Sequence, residues 1–157
     1  MKFISILLIF ISGLSYGDSL TKLNSDWLFN NETKITEDLM RLSSVEVMPI
    51  INALGATWQF RDGAIGGEVS PYITQALIFK PKEMLAWFNR HPVALEQWIK
   101  SIPHLLLTNF SDEKYRKYLV TLKHDVIVSL TNYDGEFNSE ATSILQVVSE
   151  SPVRSVD

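Results

Sequence analysis

No cysteine occurs anywhere in the 157 residues. That absence excludes disulfide frameworks, thiolate metal sites, iron–sulfur clusters, cysteine nucleophiles and lipidation at an N-terminal cysteine. Basic residues are also scarce, with 14 Lys and Arg against 18 Asp and Glu, for a net charge of −4. Nucleic-acid binding needs a Lys/Arg stripe that displaces phosphate counterions, and none is present. The densest basic stretch, Lys114, Arg116, Lys117 and Lys123, is diluted by Asp112, Glu113 and Asp125. Beyond the first residues no apolar run approaches the ~20 residues that cross a bilayer. What is present is ordinary: 46% apolar and 20% charged residues suit one soluble globular domain.

The N-terminus reads as a secretory signal over residues 1–17. Met1 and Lys2 make a short positive start, Phe3 to Ile11 an apolar run, and Ser15-Tyr16-Gly17 a small-residue cleavage triplet before Asp18. Export to the periplasm or the exterior is therefore expected, with no stable membrane insertion once the signal is cleaved. Removal of Lys2 leaves 13 basic against 18 acidic side chains.

Residues 18–150 read as an all-α domain, a compact array of about six to seven short helices, with 151–157 a frayed tail. Strand-type alternation is nearly absent, and apolar residues recur three and four apart. Pro71, Pro81, Pro92 and Pro103 stand 10, 11 and 11 residues apart, and proline suits the first position of a helix. Each is expected to open a short helix. Upstream, Ile35–Leu42 and Val45–Phe60 read as helices. Downstream, Ser111 is expected to cap a helix to about Leu130, with Tyr115, Tyr118, Leu119, Leu122, Val126 and Leu130 on one face. This helix is the expected centre of the fold. Ala141–Val148 forms the last.

Chemistry-bearing patterns are sparse. His91, His104 and His124 lack any zinc-site spacing, and neither a G-x-S-x-G elbow nor an S-x-x-K motif occurs. No catalytic residue, metal ligand or cofactor is assigned. Asn132 to Asn138 echoes part of a calcium loop, but Leu130 and Ala141 stand where its strongest carboxylate ligands belong. Two glycosylation sequons begin at Asn31 and Asn109. The segment Phe60 to Gly67 holds three glycines and reads as a turn into a helix opening near Ser70-Pro71. Its Arg61, Asp62 and Glu68 are the first candidates for a binding loop, because loops on a rigid frame often carry function. Trp87 and Trp98 are the candidate aromatic anchors.

The expected function is an exported helical binding protein that recognises another protein, as an inhibitor, immunity factor or accessory factor does. One alternative is a small cell-envelope hydrolase using a Glu or Asp general acid. The other is a carrier of an apolar ligand held among Trp87, Phe88 and Trp98.

Overall fold

The structure is a computed structural model that describes residues 26–61 and 63–156. The expected signal segment and Asp62 lie outside the described residues. After a helical turn over 26–30 come α1 (Glu32–Arg41), α2 (Met48–Gln59), α3 (Gly63–Phe79), α4 (Pro81–Arg90) and α5 (Pro92–Ser101). A π-helical turn (Ile102–Leu106) and a two-residue strand β1 (Thr108–Asn109) lead to α6 (Glu113–Thr131) and α7 (Asn138–Glu150). A second two-residue strand, β2 (Arg154–Ser155), ends the fold. The fold is all-α, as the spacing of apolar residues predicts, and no described helix is long and apolar enough to cross a membrane.

The prolines divide into two kinds. Pro81 and Pro92 open α4 and α5, where a missing N–H has no helical partner to lose. Pro71 instead lies inside α3, which corrects the expected helix start at Ser70-Pro71. A proline at this position removes one hydrogen bond and crowds the carbonyl four residues back, and here that residue is Gly67. Burial outweighs the cost. Val69, Ser70, Pro71, Ile73, Thr74, Gln75, Ala76 and Leu77 are all buried, so α3 is enclosed on nearly every side. Ser70 and Thr74 hydroxyls donate back to the Gly66 and Ser70 carbonyls at 2.8 and 2.9 Å, satisfying their polar groups inside the core. Pro103 lies in the π-helical turn, which continues α5 and is closed by the Leu107 N–H on the Ile102 carbonyl at 2.9 Å.

α3, rather than the helix after Ser111, is the central element: it packs against α1, α2, α4, α6 and the π-helical turn. The expected glycine-rich loop largely disappears, because residues 63–67 already belong to α3. Before α2, Ser43 and Glu46 form a reciprocal capping box, with Ser43 Oγ donating to Glu46 at 2.6 Å and the Glu46 N–H returning to Ser43 Oγ at 3.4 Å. The Ser43 hydroxyl, and the Ser43 N–H at 3.1 Å, both donate to the Glu46 carboxylate and hold its pKa below its ordinary value. α6 is capped by Asp112, one residue past the expected Ser111, whose carboxylate accepts from the Tyr115 N–H at 2.8 Å.

Two aromatic arrangements fix the core. Trp87 lies flat against Gly55, where an added Cβ would fall inside the indole ring, so α2 and α4 touch only because residue 55 has no side chain. Trp87, Phe88 and Trp98 then pack in sequence, with ring centroids 5.6 and 5.5 Å apart. The C-terminal residues do not fray as expected. Thr108–Asn109 and Arg154–Ser155 pair in parallel, through Arg154 N–H on Leu107 O at 2.9 Å and Val156 N–H on Asn109 O at 3.1 Å. Arg154 also donates to the Pro103 carbonyl at 2.8 Å, and Lys123 Nζ to the Ser151 carbonyl at 2.5 Å.

Candidate functional site

A groove of about 640 Å³ opens where α1, α3, α6 and the π-helical turn meet. Its wall from α3 is Gly67, Glu68, Pro71 and Tyr72, spaced so that they share one face of the helix. Tyr115 and Tyr118, three apart on α6, form the opposite side, with Glu32 from the first turn of α1 at one end. Leu105 and Phe110, flanking β1, complete the lining. Phe110 is 67% exposed, a large apolar ring left in solvent at the rim.

Tyr118 is held through a buried glutamine. Thr36 Oγ1 donates to Gln75 Oε1 at 2.8 Å, and Gln75 Nε2 donates to the Tyr118 hydroxyl oxygen at 3.1 Å, linking α1, α3 and α6 through one buried amide. Tyr115 and Tyr118 rings lie tilted with centroids 5.8 Å apart. Burial raises the pKa of the Tyr72, Tyr115 and Tyr118 phenols, and Glu32 beside Tyr72 adds to its rise. Among the side chains that line the groove, formal charge is carried by Glu32 and Glu68 alone. No Lys or Arg lines it.

The residues singled out by sequence are scattered. Glu68 lines the groove. Arg61 is folded back on the protein body: its guanidinium lies 3.3 Å above the Trp58 ring and donates to the Trp58 carbonyl at 2.5 Å and to Gln97 Oε1 at 3.4 Å. Partial burial lowers its pKa. Those contacts make Arg61 a clamp between α2 and α5 rather than a free hand in a loop. Trp87 and Trp98 are 3% and 0% exposed, so neither is a surface anchor. Trp87 stacks instead on His91, at 4.1 Å between centroids, while His91 Nδ1 lies 2.8 Å from the Trp87 carbonyl. The interior that an apolar-ligand carrier would need there is filled by the Trp87, Phe88 and Trp98 rings themselves.

Tyr72, Phe110, Tyr115, Tyr118, Leu105 and Glu32 went unassigned in the sequence. The one available signal was the tyrosine pair at the N-terminal end of the α6 apolar face, where a core side chain would carry no hydroxyl. Among the described residues no cluster of three or more His, Asp and Glu could hold a metal ion. The Asn109 sequon is unsuited to glycosylation in the folded chain, because Asn109 is buried and donates to the Asp112 carbonyl at 3.2 Å. Comparisons with protein-family models, curated proteins and solved structures return no match to this chain.

Proposed function

We propose that the chain is an exported helical binding module that seats a segment of another protein in the tyrosine groove. The observation that carries this reading is the groove itself, lined by three tyrosines, with Tyr118 held by the Gln75 amide and an exposed Phe110 among the lining. Tyr is enriched at interface hot spots because a rigid ring buries much area at little entropic cost. A helical frame supports such a site well, since three of its walls are helix faces. The module acts by surface complementarity, as an inhibitor, immunity factor or accessory factor, and needs no catalytic group.

A crosslinking experiment in the native host tests it. A photoreactive phenylalanine replaces Phe110 at the rim, or Val45, which is 82% exposed and outside the groove lining. One discrete protein adduct at position 110 and none at 45 is the expected result. No adduct at 110, or the same adducts at both positions, overturns the reading. A small apolar molecule is the second reading, favoured by a volume within the ~300–1,000 Å³ of ligand pockets. It predicts a copurifying molecule, seen by native mass spectrometry, that Tyr118→Ala releases.

A further inference from the structure

We propose that the tyrosine groove reads an arginine side chain on the partner's segment. This rests on the protein-binding reading above and names the chemistry that the groove selects. Every charged group in the lining is anionic: Glu32 at one end and Glu68 on the α3 wall. The backbone of the α3 wall adds an acceptor. Pro71 has no N–H to give to the Gly67 carbonyl, so the ordinary helical bond is missing there, and both residues line the groove. Tyrosine rings offer negative π-faces to a cation, and three of them line the groove.

A ligand for this surface must bring donors and positive charge on a flat, weakly hydrated body. Arginine does so: its guanidinium carries five N–H donors, stacks on aromatic rings and pairs with carboxylates. An acidic or phosphorylated segment would meet two carboxylates and no cation. A purely aliphatic segment would bring no cation to Glu32 or Glu68. The same structure shows the geometry on a small scale, with Arg61 stacked on Trp58 while donating to a carbonyl and an amide oxygen.

The test is an NMR titration of the tyrosine-labelled chain with the blocked tripeptide acetyl-Leu-Arg-Leu-amide and its citrulline counterpart, in which a neutral urea of similar shape replaces the guanidinium. The arginine peptide is expected to move the Tyr72, Tyr115 and Tyr118 ring signals, to bind about tenfold or more tighter than the citrulline peptide, and to weaken as salt rises. In the E32Q/E68Q double variant, whose fold is checked by circular dichroism, its affinity should fall to the citrulline level while citrulline binding stays unchanged. Equal binding of the two peptides overturns the proposal, as does an arginine affinity that E32Q/E68Q leaves intact or an absence of tyrosine shifts. If the Phe110 adduct still forms in that case, the arginine reading alone falls and the binding-module reading stands. Loss of both removes the groove as an interface.

Discussion

At the scale of single residues, the two fully buried indoles make an instructive pair. Trp58 donates to the Ala94 carbonyl at 2.9 Å, whereas among the described residues the Trp98 indole N–H has no acceptor. A buried N–H without a partner costs roughly 1–3 kcal/mol, while a made hydrogen bond contributes about 1 kcal/mol net. Replacement by phenylalanine removes similar volume at both sites, so the difference reports the N–H together with the Arg61 stack on the Trp58 ring. Trp58→Phe should lower stability by about 1–2 kcal/mol more than Trp98→Phe in urea unfolding. Equal losses would show that the Trp98 N–H finds a partner in solution. Sequence read Trp98 as a surface anchor, and only the packing shows it buried. Nor could sequence tell which indole was bonded, because the acceptor lies on α5, 36 residues along the chain from Trp58.

At the scale of elements, α3 breaks local rules and survives by packing. It contains Pro71 and begins with glycines, all of which disfavour a helix by intrinsic propensity. Its start was accordingly legible only as a turn. Contacts with five neighbouring elements outweigh that preference, and none of those contacts is visible in a local window. Gly67 offers a direct check. A Cβ there would meet nothing within 4 Å, so the site bears glycine's entropic cost without using its freedom. Gly67→Ala should raise stability by about 0.5–1 kcal/mol, read as a higher urea midpoint at unchanged slope. A lower midpoint would mean that the crowded carbonyl before Pro71 needs glycine's latitude. Helices α4, α5 and α6, by contrast, were readable from their apolar spacing. Pro81 and Pro92 mark two of the starts, and the third was read one residue early, at Ser111 instead of Asp112.

At the scale of the whole molecule, closure depends on the chain's last described residues. β2 returns to β1 across α6 and α7, and Val153 packs against the core on the way. Truncation after Glu150 removes the ladder bonds, the Arg154 bond to Pro103 and the acceptor of Lys123 at Ser151. It should cost roughly 2–3 kcal/mol, measured as a lower melting temperature with faster amide exchange at Thr108 and Asn109. An unchanged melting temperature would return those residues to the status of a tail. The tyrosine groove gives a second global signature. Burial raises the folded pKa values of Tyr72, Tyr115 and Tyr118 above their ordinary value of 10.0, so the neutral phenols favour the folded state. Their contribution is complete below pH 10.0 and is lost as pH rises through the elevated folded values. An absorbance titration near the phenolate band should show these phenols ionising late, together with loss of helical dichroism. Ionisation at the ordinary value with the helices intact would contradict the groove's geometry.

Apolar periodicity and proline placement by themselves determined that this is an all-α chain of short helices, and which faces of α4, α5 and α6 turn inward. Those are local properties, carried by residues three and four apart. Only the tertiary structure decided that α3 runs through Pro71, that the last residues pair with β1, and that Glu32, Tyr72, Phe110, Tyr115 and Tyr118 share one groove. Each of these depends on contacts between residues far apart in sequence, where the free energy of burial, rather than local preference, selects the conformation.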